Sequence, residues 1–339
     1  MAITLKTDFD TIYLSSHLPE EVSYKTDAAS LTIDIYVNSK KVFSSDYYAF
    51  EKDVTIRDIR SIVEATMIDE RLTFCPLKIV ATDPQTATTK TIDTKVVFFQ
   101  MKTTYGSDGF LREFFLTTRG TVLLPRSGQF KVNFFSKANA RATTFALIYY
   151  EPIDSPGNVL TYEYSFTKVL TTKEKVLTNE LSHSYFKKIV DNDKKTDCRV
   201  LGVEYEIGER RIDLFFTDEE PTITIKFLSA FNIMETAYLW GTTTTKTEVD
   251  RSETVCGHQT SFYDETIKVI HNVETAPLTH DEAMWLNQML TSRLVLMPTD
   301  TYDTVPILIT DITSEISDSD KDLVRLKFSW KYADGFEWY

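Results

Sequence analysis

Residues 31–37 read LTIDIYV, and apolar and polar side chains alternate along most of this segment. Because successive side chains of a β-strand point to opposite faces, such a segment buries one face and exposes the other to water. The alternation recurs in four further segments, which are 130–134 (FKVNF), 160–166 (LTYEYSF), 222–227 (TITIKF) and 324–330 (VRLKFSW). The pattern is typical of antiparallel sheets with one buried face, and it predicts a mainly β fold.

The length of the chain fits two domains of ordinary size, or one large sandwich with insertions. Its 339 residues are 42% hydrophobic and 13% aromatic, with 17 Tyr and 22 Phe against only 10 Gly and 10 Pro, which favours strands. Turn residues mark 105–109 (YGSDG), 125–128 (PRSG) and 154–158 (DSPGN). We place a domain boundary in the last turn. This predicts two antiparallel β-sandwich or barrel-like domains, residues 1–155 and 156–339, each with one embedded helix.

Two segments have the apolar spacing of amphipathic helices. The first is a helix near 55–67 within DVTIRDIRSIVEATM, with Thr55 as its N-cap. The second is a helix near 279–291 (THDEAMWLNQMLT), where Thr279 and Glu282 have capping-box spacing and Trp285 is the expected anchor of the apolar stripe. A weaker third pattern covers residues 181–190.

Charge and cysteine content exclude several classes of protein. The net charge of −13 opposes nucleic-acid binding, because the phosphate backbone favours clusters of Lys and Arg. Three widely spaced cysteines cannot form a complete disulfide framework, so we expect folding in a reducing cytoplasm. The N-terminal residues lack a secretory signal pattern, and no apolar run has the length of a membrane span.

Residues with metal-binding or catalytic potential do not form a recognised motif. Cys256 and His258 lack the second ligand pair of a zinc site. The DSDKD run at 318–322 resembles the start of a calcium loop, but Leu323 occupies the glycine position and Ser329 the glutamate position. We find no nucleophile elbow, phosphate loop or dinucleotide motif. The sequence therefore predicts neither a catalytic residue nor a bound metal or cofactor.

Two segments indicate contacts with other molecules. The Thr-rich patch 242–247 (TTTTKT) is compatible with a flexible linker, and equally with an edge strand or hairpin arm that a partner orders. The aromatic end 336–339 (FEWY) of a polar chain is best explained if it docks into a neighbour.

Several stretches resemble structural proteins of tailed bacteriophages and prophages of the Bacteroidetes group, in particular tail and baseplate components. The resemblance is carried by VTIRDIRSIVEATM with LTFCPLKIVA behind it, by TVLLPRSGQFKVNFFS, and by a C-terminal block of about a hundred residues. That block contains, in order, KTEVDRSETVCG, FYDETIKVIHNVETAPLTHDEAMWLNQMLTSRLVLM and VPILITDITSEISDSDKDLVRLKFSWKYA.

The resemblance implies a non-enzymatic virion subunit, made in the host cytoplasm, that forms an oligomeric ring or hub in a phage tail. Its expected partners are copies of itself and other tail or head–tail connector proteins, without direct nucleic-acid binding. The segment 242–260 and the C-terminal tail are expected at subunit interfaces. The expected interface residues are Thr242, Thr243, Thr244, Thr245, Phe336, Trp338 and Tyr339. The alternative is a carbohydrate-binding or host-receptor-binding β-sandwich module of a virion. A tail-associated glycan or peptidoglycan hydrolase is a further rival.

Overall fold

The computed structural model describes residues 3–195, 197–299, 304–312, 316 and 323–333. In these residues the protein is mainly β, as predicted, with five sheets and four α-helices. Almost all neighbouring strands are antiparallel; the parallel pairs are β2 (Ile12–Leu14) with β8 (Thr89–Val97), and β9 (Thr121–Pro125) with β15 (Arg210–Thr217). The buried side chains form three main cores, which divide the chain into an N-terminal, a middle and a C-terminal unit.

The N-terminal unit (residues 3–98) places a five-stranded and a three-stranded sheet on opposite sides of one core. Its remaining strands are β1 (Thr4–Leu5), β3 (Glu21–Lys25), β4 (Ser30–Val37), β5 (Lys40–Tyr48), β6 (Asp53–Arg57) and β7 (Phe74–Thr82). The sheet orders are β2-β8-β7-β4-β5 and β1-β3-β6. Helix α1 (Ile59–Asp69) adds three buried side chains to this core.

The predicted start of the first helix was wrong. Thr55 lies inside β6, where it pairs with Ser23 of β3, and the two hydroxyl oxygens are 3.0 Å apart. The alternation of buried Val54 and Ile56 with exposed neighbours makes this segment a strand. The helix begins after Asp58, whose left-handed φ of 61° turns the chain out of the strand.

The middle unit (residues 107–217) packs a five-stranded sheet on a two-stranded one. Its other elements are α2 (Ser107–Glu113), β10 (Gln129–Ser136), β11 (Arg141–Pro152), β12 (Leu160–Val169), β13 (Lys175–Ser182), α3 (His183–Lys194) and β14 (Cys198–Ile207). The sheet orders are β12-β11-β14-β15-β9 and β10-β13. Helix α2 replaces part of the turn predicted at 105–109, whereas α3 corresponds to the weaker third helix pattern.

The C-terminal unit (residues 223–333) is one seven-stranded sheet with a helix packed on it. Its elements are β16 (Ile223–Leu228), β17 (Met234–Leu239), β18 (Gly241–Cys256), β19 (Gln259–Thr275), α4 (His280–Leu290), β20 (Val295–Met297), β21 (Val305–Ile312) and β22 (Lys327–Tyr332). The strand order is β17-β16-β20-β21-β22-β19-β18. The predicted capping box of α4 is present, because Thr279 and Glu282 each accept a hydrogen bond from the other's backbone N–H.

The predicted division near residue 155 does not separate two cores. Residues 154–158 form the turn between β11 and β12, which are antiparallel neighbours in the same sheet. The described residues also hold two helices on each side of that point, rather than the one per domain that was expected. A turn signal alone cannot distinguish a hairpin from a domain boundary, since both need the same local backbone chemistry.

A fourth cluster of buried side chains joins the three units at a common junction. Phe99 stacks on Phe231 with ring centroids 4.6 Å apart, and the Asn232 amide donates to the carbonyl oxygens of Met67 at 2.9 Å and Leu72 at 3.1 Å. Buried Arg210 donates to three backbone carbonyls of the middle unit, and its burial lowers its pKa to about 10. The junction therefore ties the units together through ring stacking and satisfied polar groups.

Candidate assembly surface

Strands β18 and β19 form a hairpin that extends well beyond the core of the C-terminal unit. β22 pairs with β19 only at residues 271–274, so residues 246–270 have no other strand beside them in the described part of the sheet. We call residues 246–270 the arm. Its twelve β19 residues, 259–270, span roughly 40 Å at the usual rise per strand residue. A two-stranded ribbon is at best marginally stable by itself in water, so the arm is suited to packing on another surface.

The strand register gives the arm two unlike faces. Residues that pair directly across an antiparallel ladder project on the same side, and alternate pairs project on opposite sides. One side, the apolar face, carries Val249 paired with Ile267, Phe262 paired with Glu253, and Val255 paired with Thr260. Val269, paired with Thr247, also lies on this face.

The opposite side of the arm is polar. Its pairs are Lys246–Ile270, Glu248–Lys268, Asp250–Thr266, Ser252–Asp264, Thr254–Ser261 and Cys256–Gln259. On the apolar face, by contrast, Val249 is 46% exposed, Phe262 55% and Val255 70%. The apolar face is interrupted by Glu253 and by the Arg251–Glu265 ion pair, so its apolar side chains form two groups, one of Val249, Ile267 and Val269 and one of Phe262 and Val255. A ribbon whose apolar side chains gather on one side is typical of a strand pair that packs on that side.

The apolar face continues the core-facing side of the sheet from which the arm extends. At the base, Val273 pairs with Phe328 and His271 pairs with Trp330, on the same side as Ile267. Val273, Phe328 and Trp330 are buried, and the imidazole of His271 stacks on the Trp330 ring with centroids 4.0 Å apart. The apolar surface thus begins as core and becomes exposed where the unit's own packing ends.

Cross-strand contacts hold the arm in this register. The Arg251 Nε atom donates to the Glu265 carboxylate at 2.7 Å, and the same guanidinium lies 5.0 Å from the centre of the Phe262 ring. A bulge next to this pair leaves Tyr263 as an extra residue of β19, 69% exposed. At the tip Gly257 has a φ of +67°, as the first position of a type II′ hairpin turn requires.

The predicted Thr242, Thr243, Thr244 and Thr245 lie together at the base of the arm, exposed, in β18. They pair with residues 271–274 of β19, so the patch is part of a hairpin rather than a linker. The Thr245 hydroxyl oxygen lies 3.1 Å from the His271 Nδ1 atom. The predicted Phe336, Trp338 and Tyr339, and the run 318–322, lie outside the described residues.

The predicted interface segment 242–260 covers the base of the arm and its β18 strand, but sequence reasoning missed the apolar face. In 247–255 (TEVDRSETV), Val249 and Val255 are separated by Thr, Ser and charged residues, so the apolar alternation is weak. The clearer signal is in 267–273 (IKVIHNV), where three of the four core-side positions are apolar. Only the pairing of the two strands shows that both sets lie on one side.

Trp285, the predicted anchor, is buried on α4 at 3% exposure. Its ring packs edge-on against Phe227 with centroids 5.4 Å apart, and its Nε1–H donates to the Glu235 carboxylate at 2.7 Å. The Arg119 guanidinium of the middle unit lies 3.8 Å from the centre of the same ring. The indole therefore contributes to the core of one unit and to the contact with another.

The Glu235 carboxyl and the Arg119 guanidinium lie in a low-dielectric environment beside Trp285. Burial raises the pKa of Glu235, while the Trp285 N–H and the Arg119 charge partly offset this effect. Burial also lowers the pKa of Arg119 to about 10. Thr117 donates a second hydrogen bond to the carboxylate at 3.3 Å, and among described residues Glu235 Oε1 has no hydrogen-bond partner. Such a site is costly when ionised and holds the two units together through shared polar contacts.

Within the described part of the chain, no group of three or more His, Cys, Asp or Glu side chains is arranged to hold a metal ion. No described helix is long and apolar enough to cross a membrane.

Comparisons with known proteins add little to this description. No family model matches the chain, and no curated protein matches it. A crystal structure of CBD12 from CALX1.2 aligns with 61% of this chain and 79% of that chain, at 7% identity and a TM-score of 0.19. The calcium binding domain CBD12 of CALX1.1 aligns over the same fractions, at 10% identity and a TM-score of 0.19. Scores this low support neither a shared fold nor a shared ligand.

Proposed function

We propose that this chain is a structural virion protein that assembles with copies of itself into an oligomeric ring or hub in a phage tail or baseplate. It is made in the host cytoplasm and acts in the tail, beside other tail or head–tail connector proteins, through subunit contacts and without catalysis. The observation that carries the self-assembly is the arm, whose apolar face continues a buried core into solvent. The phage-tail setting rests on the sequence resemblance.

The arm has the size and chemistry of an interaction element. Its single apolar face can pack on a neighbour, while its outer strand edge offers unpaired N–H and C=O groups for pairing with another strand. In the proposed contact, one copy contributes its arm and the next copy contributes a different surface, so the two subunits use different residues. Such head-to-tail contacts generate rings when the rotation between copies closes.

Shortening the arm tests the self-assembly. Replacing residues 248–268 with Asn-Gly joins Thr247 to Val269 through a two-residue turn and keeps the base of the hairpin. We expect the wild-type protein to form oligomers and this short-arm variant to be monomeric, measured by size-exclusion chromatography with light scattering. A wild-type protein that stays monomeric at high concentration contradicts the proposal.

Substitutions on the two faces of the arm provide a matched control. Changing Val249, Phe262 and Ile267 to Thr removes apolar contacts of about 1 kcal/mol each and should weaken association on the order of a hundredfold. Changing Glu248 and Lys268 to Thr alters the polar face of the same ribbon and should leave association within about threefold. Equal effects of the two sets would show that the apolar face does not mediate assembly.

The place in a virion needs a separate experiment. Particles purified from cells that carry the sequence can be labelled with an antibody against the chain and imaged by electron microscopy. We expect gold label at the tail. Tailed particles without label contradict the proposed location while leaving the self-assembly result intact.

A further inference from the structure

The outermost strands of the sheets differ greatly in their capacity to accept another strand. Strands β1, β2, β6, β9 and β17 have two to six residues each. Strand β5 is longer but carries a bulge, a feature that protects an edge from pairing. The backbone of β10 is partly satisfied by the Leu116 N–H, which donates to the Asn133 carbonyl at 2.7 Å. β13 has eight residues, and its core-side row includes Lys175 and Asn179.

Apart from β18 of the arm itself, β12 is the long, regular edge that remains. It pairs with β11 from Arg141–Val169 to Tyr150–Leu160 with no bulge in that ladder, and no proline interrupts its ten residues. Its other side has no neighbouring strand in the described sheet. The N–H and C=O groups on that side are therefore free to accept an added strand.

The side chains of β12 show that the core of the middle unit is incomplete at this edge. Tyr162, Tyr164 and Phe166 project on the core side, because they pair with buried Ile148, Ala146 and Thr144. Yet all three rings are only half-buried. A further strand placed beside β12, apolar on the same side, would cover them.

The geometry points to the arm of a second copy as that strand: we infer that β18 of one molecule pairs edge to edge with β12 of the next. Val249 and Val255 of β18 would then extend the row of Tyr162, Tyr164 and Phe166, and Phe262, Ile267 and Val269 of β19 would lie one strand further out. Arg251 and Glu253 lie in the same row of β18. The inference rests on the proposed self-assembly and names the surface that receives the arm. β18 is suited to this role because the bulge places its extra residue in β19, which leaves β18 regular.

Length and polarity agree with this pairing. The ten residues of β12 span about 33 Å, within the roughly 40 Å of the arm. On the outer side of β12, Thr161, Glu163, Ser165 and Thr167 would adjoin the polar face of the arm, so both joined sheets keep one wet side. Donor and acceptor are different strands, as a ring-forming contact requires.

A mixing experiment separates the two halves of the contact. Tyr164→Lys places a charge on the core side of β12 and should block the acceptor edge, whereas Ser165→Lys adds the same charge on the outer side and should not. We expect Tyr164→Lys to be monomeric and Ser165→Lys to assemble like the wild type. Mixed with the short-arm variant, Tyr164→Lys supplies an arm and the other protein an intact β12, so the pair should form a 1:1 heterodimer.

Hydrogen exchange of the wild-type protein gives a second test that does not depend on the folding of Tyr164→Lys. In the wild-type oligomer, alternate amides of β12 should exchange at least about tenfold more slowly than in the short-arm variant. Oligomers with unchanged β12 exchange, or two folded variants that do not form the heterodimer, overturn the β12 assignment and leave the proposed self-assembly standing. A monomeric wild type instead defeats the proposed function itself.

Discussion

Replacing Trp285 with Ala should strongly destabilise the C-terminal unit and loosen its contact with the middle unit. The side chain is 3% exposed, and truncation of a buried Trp to Ala costs about 3–5 kcal/mol through lost burial and the cavity left behind. The change also removes the N–H that donates to Glu235 at 2.7 Å, which leaves a buried carboxylate short of a donor at a cost of about 1–3 kcal/mol. Because the two effects overlap, we expect a total loss of about 4–6 kcal/mol.

Trp285→Phe separates the loss of the hydrogen bond from the loss of buried ring contacts. The smaller ring keeps most of the contact with Phe227 and Arg119 but has no N–H, so its cost should be about 1–3 kcal/mol. Combined with Glu235→Gln, whose amide oxygen can still accept this bond, it gives a double-mutant cycle for the part of the hydrogen-bond energy that depends on the carboxyl group.

The assay must resolve one unit of a chain that has three cores, since a single unfolding midpoint is not defined for such a protein. Native-state hydrogen exchange in low denaturant reports the opening free energy of the amides in α4 and β16 directly. A loss below about 1 kcal/mol for Trp285→Ala would refute the reasoning, because it would place the indole at the surface rather than in the core.

Three further outcomes follow from single groups. Burial raises the pKa of Glu235 above its unfolded value, so its contribution to stability is fully present below about pH 4.5 and is lost as the pH rises through the folded pKa; Glu235→Gln should abolish this slope in pH-dependent unfolding. At pH 7.5, iodoacetamide should alkylate exposed Cys256 before the two other cysteines, because burial raises the pKa of Cys75 to about 12 and of Cys198 to about 11. Mass spectrometry over a time course of the reaction follows this order. Early modification of either buried thiol contradicts the packing. Gly241→Ala should lower the opening free energy of the β18 and β19 amides near the base of the hairpin by about 2 kcal/mol or more, because its φ is +150° and a Cβ would lie 2.1 Å from a backbone oxygen. Native-state hydrogen exchange measures this, and an unchanged opening free energy contradicts the geometry.

Local chemistry accounts for the parts of the fold that the sequence predicted correctly. The alternation in 31–37 became β4, and FKVNF lies within β10, because burial of one strand face requires a period of two. The capping box at Thr279 and Glu282 depends only on residues three apart, so it was visible without tertiary information. The predicted strand 324–330 was displaced: β22 covers Lys327–Tyr332, and Val324 instead makes an isolated bridge to Leu278.

The secondary-structure predictions that failed are those in which contacts with residues distant in sequence override the local sequence preference. Thr55 has the chemistry of an N-cap, yet pairing with β3 draws it into β6. Gly106 and Gly109 resemble turn residues, but α2 packs Phe110 and Leu111 into the junction cluster and is stabilised there. Tertiary packing routinely overrides such weak local preferences.

By itself, the sequence determined the β character of this protein, the capped helix that carries Trp285, and an exposed Thr-rich segment at Thr242–Thr245. Only the tertiary structure decided that three cores meet at one junction, that the Thr-rich segment is the base of an arm, and that the arm has an apolar face. The physical reason is register. A strand's own sequence decides which residues alternate. Which of them share a side with residues of the opposite strand depends on pairing between distant positions, such as Gly241 with Thr275, and a one-residue slip would reverse it.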